Sequence, residues 1–117
     1  MTKMVKADER IEPLLNEIVE KIVRGYPPEK IILYGSYAYG HPDDESDIDL
    51  LIVKETDASP FDRRVAVRRI VDLRVPIAFA PIVVTPRELA ERLEMADSFF
   101  EEILRKGKVL YAKEENQ

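Results

Sequence analysis

"YGSYAYGHPDDESDIDLLIV", residues 34–53, joins a glycine-bearing turn to an apolar run and sets two carboxylates, Asp47 and Asp49, at the mouth of that run. The segment DIDLLIV, 47–53, reads as a buried β-strand. Side chains alternate along a strand, so Asp47 and Asp49 share one face while Ile48 points into the core. Two carboxylates that close repel, and without a counter-ion one of them is driven toward protonation. A divalent cation reverses this, because Mg²⁺ favours hard oxygen ligands and holds both groups ionised. Paired catalytic ions of this kind sit about 3.5–4 Å apart and clamp the attacking and leaving oxygens of a displacement at phosphorus. The Gly35-Ser36 pair fits the same chemistry. Gly35 lets the backbone approach a ligand closely. Ser36, capping a short helical turn closed by Gly40, offers a hydroxyl and N–H groups to a phosphate.

The flanking sequence supplies the scaffold. Leu14, Leu15, Ile18, Val19, Ile22 and Val23 recur at helical spacing, which predicts a helix over about 12–24, with Pro13 near its start and Gly25 past its end. KIILY, 30–34, is a β-branched run ending at Gly35 and predicts a strand; HPDDE, 41–45, reads as a loop. Ser59 and Pro60 form an N-cap and first helical position, and the helix they open runs to about Leu73, burying Phe61 and Val65. IAFAPIVV, 77–84, is a third strand, placed at an edge or bulge by Pro81. TPRE, 85–88, is a capping box opening a helix that carries Leu89 and Leu93. Ser98 starts a last helix through Phe99, Phe100, Ile103 and Leu104, closed by Gly107 and followed by the strand KVLYA. Alternating helices and strands predict an α/β (α+β) domain, one unit over 1–117, around a small mixed sheet flanked by helices.

Composition narrows the classes. At 117 residues one core suffices, burying about two thirds of the surface the unfolded chain exposes. No apolar run approaches the ~20 residues of a membrane span, and the polar start MTKMVKADER does not read as a secretory signal. The absence of cysteine excludes disulfides and thiolate metal sites and suits a reducing cytoplasm. Charged residues make up 35% of the chain, against about 25% in an average domain, and side-chain amides are few, a composition expected of a thermophile. The net charge of −5 argues against broad nucleic-acid binding.

With Gly35-Ser36, ten intervening residues and Asp47-x-Asp49, the stretch resembles the minimal nucleotidyltransferase (MNT) family of the DNA polymerase β superfamily. The likeness extends to VVTPREL after the third strand and to the closing GKVLY. The resemblance implies a nucleotidyltransferase fold and transfer of a nucleoside monophosphate, AMP in the first instance, from ATP or another triphosphate, with Mg²⁺ and release of pyrophosphate. It implies that Asp47 and Asp49 are the catalytic metal ligands and that Gly35 and Ser36 hold the phosphates. Small family members work beside a separately encoded helical HEPN protein in toxin–antitoxin pairs, which implies a HEPN partner modified by AMP on a tyrosine. Whether the protein is a homo- or hetero-oligomer stays open.

The family also carries a third carboxylate on the strand leading into VVTP. Counting back from Thr85 and Pro86 places that position at Ala80, and no acid occurs from Arg74 to Pro86. The alternative expectation is therefore a catalytically impaired antitoxin or nucleotide-binding module of the same fold. Asp72 and Glu88 are the nearest acids in sequence, read respectively as a helix partner of Arg68 and a capping residue. His41 and the arginines at 63, 64, 68 and 69 read mostly as solvated surface, and Tyr34 as packing; Tyr37 and Tyr39 are left open for stacking on a base.

Overall fold

The computed structural model describes residues 7–43, 46–75 and 77–113, the first four of them in backbone only. The chain runs α1 (Ala7–Gly25), β1 (Lys30–Tyr34), α2 (Ser36–Tyr39), β2 (Ile48–Val53), α3 (Pro60–Val71), β3 (Phe79–Val84), α4 (Pro86–Glu94), α5 (Ser98–Lys106) and β4 (Lys108–Ala112). The strands form one mixed sheet in the order β3-β2-β1-β4. β1 pairs antiparallel with β2 and with β4, whereas β2 and β3 run parallel and are joined through α3. A parallel pair needs such a crossover, because a tight turn can only reverse a strand. Pro81 lies on the edge strand β3, where its missing N–H leaves no gap in a central ladder.

Alternation along the strands gives the sheet two apolar faces. Ile31, Leu33, Ile48, Leu50, Ile52, Phe79 and Val83 pack against α1 and α3, with Ile18, Ile22, Val67 and Val71 fully buried beneath them. Ile32, Leu51, Val53 and Val84 point the other way and are covered by Phe100 and Ile103 of α5, with Leu89 and Leu93 of α4 alongside. Among the described residues no helix is long and apolar enough to cross a membrane.

Three local expectations need correction. α1 begins at Ala7, not near residue 12, and Pro13 lies inside it. Burial of Ile11 against the core continues the helix through a residue that lacks an N–H to donate. Second, Gly35, not Ser36, occupies the N-cap of α2, in a conformation (φ 80°, ψ −160°) that few residues other than glycine adopt. Third, α3 turns Arg63, Val67 and Val71 inward and leaves Phe61 64% exposed, with Val65 only partly buried. The cause is Arg63, which is 5% exposed and fully engaged. Its Nε donates to the Ala58 carbonyl (2.7 Å), Nη1 donates to the Val83 carbonyl (3.1 Å), and the fork grips Glu88 at 2.8 and 3.1 Å. The other caps follow the sequence: Ser59 accepts from the Asp62 N–H, and Thr85 with Glu88 completes a capping box. α5 begins at Ser98 as expected, with Asp97 as its N-cap. The loop positions 44–45 and the tail beyond 113 lie outside the described residues.

Candidate active site

Strand register brings the site together. Tyr34 of β1 stands opposite Asp49 of β2, and Asp49 stands opposite Ala80 of β3. The three side chains form a row across the face that carries α4 and α5. The next row on that face, Ile32, Leu51 and Ile82, belongs to the apolar layer. Asp49 therefore sits where the hydrophobic layer ends, half-buried, while Asp47 just ahead of the strand is exposed. Ile48 between them is fully buried on the opposite face. Burial first, and the neighbouring Asp47 charge second, push the Asp49 carboxyl above the usual range. Both influences disfavour its ionised form, which is the condition a bound cation relieves.

The Gly35 turn is built against this carboxylate. A Cβ added at Gly35 would collide with the Asp49 carboxylate oxygen, so the turn and the aspartate are packed in direct contact. Glycine is needed here twice, for the positive φ and for the missing Cβ. Behind it, Ala38 and Tyr39 donate backbone N–H groups to the Gly35 carbonyl, and Gly40 and His41 donate to that of Ser36. Gly40, at φ 88°, closes the turn in the left-handed region. Since Gly35 takes the cap position, the half-buried Ser36 side chain does not serve as the cap. Gly35→Ala is expected to destabilise the fold by about 1–3 kcal/mol from backbone strain alone, read as a lower denaturant midpoint.

The remaining candidates fall away from the row. Glu88 is committed to Arg63 and to the Thr85 N–H, and the Arg63 hydrogen bond followed by the Thr85 backbone bond holds its carboxyl below the usual range. Asp72 does not pair with Arg68 through its side chain. It caps α3 in a left-handed conformation, and its carboxylate meets Arg74 at 2.9 Å. His41 is exposed in the loop, as are Arg64, Arg68 and Arg69 on α3; Arg63 is the exception, and its burial was not readable from the arginine cluster. Tyr37 packs in the core under α2, and Tyr39 is partly buried against it. Tyr34 packs as expected on the α5 side, and burial, Asp49 and Tyr39 together push its phenol up to about 12. One neighbour was missed in the sequence: Phe99 of α5, whose ring meets Tyr34 edge-on at 5.7 Å. The pair Phe99-Phe100 carried the signal, since adjacent helical residues cannot both face inward.

Two neighbouring hard carboxylates, Asp49 half-buried and Asp47 exposed, suit a divalent ion, although the described residues contain no group of three or more His, Cys, Asp or Glu that could hold one. A Gly-Ser turn packed on the second carboxylate of an Asp-x-Asp strand, in a small mixed sheet between two helical layers, defines a nucleotidyltransferase fold. Residues 16–116 match the Polymerase beta, Nucleotidyltransferase family. The chain belongs to that family, and its fold is that of the minimal nucleotidyltransferases. It is similar to two candidate protein adenylyltransferases of Methanocaldococcus jannaschii. One is 36% identical over 71% of this chain and 78% of the relative; the other is 34% identical over 71% of this chain and 60% of the relative. A candidate nucleotidyltransferase from Sulfolobus solfataricus superposes with a TM-score of 0.67 at 25% identity, covering 99% of this chain and 96% of that one. A chain of the MntA–HpeT toxin–antitoxin complex shares the fold, with a TM-score of 0.58 and 19% identity over 86% of this chain and 73% of its own.

Proposed function

We propose that this protein is a Mg²⁺-dependent nucleotidyltransferase that moves AMP from ATP to a hydroxyl of a protein acceptor. The observation that carries the reading is Asp49, packed on the Gly35 turn beside the Asp47 charge at the open end of one sheet face. Asp47 and Asp49 would hold the metal, and Gly35 and Ser36 the triphosphate. When bound, Mg²⁺ supplies positive charge to the phosphate oxygens and keeps both aspartates ionised. In the transfer, the acceptor oxygen forms a bond to the α-phosphorus and the bond from that phosphorus to the bridging α,β-oxygen breaks. Pyrophosphate leaves, and the acceptor proton is lost to solvent or to a carboxylate. A protein acceptor is favoured by the likeness to the adenylyltransferase candidates. The likeness to a toxin–antitoxin chain favours a toxin partner as that acceptor, and a HEPN protein is the partner to try first.

A second reading has its own observation. Ala80 stands in register beside Asp49, so where the family places a carboxylate this site presents a methyl group. A nucleotide can still be held by the remaining pair, but a group that acts chiefly in the transition state is gone. In that reading the domain binds MgATP and turns over slowly or not at all. Incubating the protein and a co-purified partner with ATP, with and without Mg²⁺, and weighing both intact decides the proposal. Addition of one AMP to the partner, only with Mg²⁺, supports transfer; MgATP binding with no mass gain supports the second reading; neither binding nor transfer rejects both.

A further inference from the structure

Resting on the nucleotide site just proposed, we infer that Phe99 is the platform on which the nucleobase stacks. Phe99 is a large apolar side chain in the first turn of α5, left 46% exposed while its neighbour Phe100 is buried. Its ring is nonetheless fixed. It meets Tyr34 at 5.7 Å and Phe100 at 5.2 Å, both near-perpendicular, so two aromatic neighbours hold its plane. Phe100 is buried, and Tyr34 is anchored in β1, so neither neighbour can follow a rotating Phe99.

Position completes the argument. Tyr34 is the direct cross-strand partner of Asp49. Tyr34 therefore stands between the candidate metal carboxylate, its cross-strand partner, and the exposed ring, which it meets at 5.7 Å. One residue thus separates the place that would hold the phosphates from an exposed aromatic face. An aromatic face in that place covers its exposed apolar surface by accepting a base. Stacking is tolerant of base identity because every base has a π-face. Phe99 would then bring affinity for nucleosides over bare polyphosphate without choosing between purines.

The test compares Mg-ATP, Mg-GTP and base-free Mg-tripolyphosphate by calorimetric titration of wild type, Phe99→Ala and Phe99→Trp. The inference expects Phe99→Ala to lose about tenfold in affinity for ATP and GTP alike, ~1.4 kcal/mol, with tripolyphosphate unchanged and Phe99→Trp retaining the wild-type values. Unchanged ATP affinity in Phe99→Ala, with tripolyphosphate still bound, overturns the stacking role and leaves the phosphate site standing. An equal loss for tripolyphosphate also overturns it, since Phe99 would then be supporting the turn. If wild type binds neither ATP nor tripolyphosphate with Mg²⁺, the nucleotide site itself fails and the inference with it.

Discussion

Asp49→Asn is expected to abolish Mg²⁺-dependent ATP binding and, in the absence of metal, to make the protein more stable at neutral pH. The two effects have opposite signs and one cause. Asp49 is half-buried at the end of an apolar layer beside another carboxylate, and its pKa is raised by burial and then by Asp47. A carboxyl whose folded pKa exceeds its unfolded value contributes stability below the unfolded pKa and loses that contribution as pH rises through the folded one. At neutral pH the ionised Asp49 is therefore a cost to the metal-free fold, and a neutral amide of the same shape removes it. In acid, where Asp49 is protonated in both states, wild type and variant should converge. Mg²⁺ reverses the balance, because the amide lacks the charge needed to draw the ion out of its hydration shell. Changing a group that merely orients a metal ligand costs 10–100-fold in affinity, so loss of a ligand should exceed about 100-fold. Thermal melts across pH, with and without MgATP, read both effects. A variant that melts lower than wild type at neutral pH, or one still stabilised by MgATP, contradicts this account of the pair.

Glu88→Ala is expected to lower stability by about 3 kcal/mol, a fall of roughly 10 °C in Tm for a domain of this size. Arg63 is 5% exposed, and its guanidinium spans α3, the β3 carbonyl of Val83 and the start of α4. Removing Glu88 leaves that buried charge with two backbone carbonyls and no counter-ion, and it also removes the acceptor of the Thr85 N–H. The Glu88 side chain is 40% exposed, so water partly replaces it and the loss falls at the lower end of what a broken buried pair costs. The pH sign is opposite to that of Asp49. With its folded pKa lowered by the Arg63 hydrogen bond first and the Thr85 bond second, Glu88 contributes stability above the ordinary carboxylate range and loses it as pH falls. The gap between wild type and Glu88→Ala should therefore narrow in acid. Chemical denaturation at neutral and acid pH measures it; an equal gap at both would mean the loss comes from packing alone.

The sheet is legible in the sequence because its central strands are short, continuous apolar runs rich in β-branched residues, the pattern of strands buried on both faces. KIILY and DIDLLIV carry their pattern without interruption, and counting back from Thr85 locates Ala80, the residue that register places beside Asp49. The side chains that tie layers together are less legible. Arg63 looks like one of four surface arginines, and only the fold reveals that 63, 67 and 71 form the inward stripe. A charged residue on that stripe makes sense only once Glu88, 25 positions later, is brought beside it. Ser36 was expected to cap α2, but a collision between any Cβ and Asp49 reserves the cap for Gly35, and that contact joins two segments read separately in the sequence. Phe99 is hidden for the same reason: its neighbour Tyr34 lies on a strand far earlier in the chain.

The central claim is that this is a nucleotidyl-transfer site one carboxylate short at position 80. Because Ala80 lies in register with Asp49 on the same sheet face, an aspartate there would point into the site without rebuilding the strand. The decisive measurement is the rate of AMP transfer to a candidate partner, followed by intact mass, for wild type and Ala80→Asp at matched folded fraction. The account predicts similar MgATP affinity in both and transfer that is detectable but slow in wild type, rising at least about tenfold in Ala80→Asp, the lower range of what a positioned proton-transfer group contributes. Rapid transfer by wild type that Ala80→Asp leaves unchanged or reduces would contradict it.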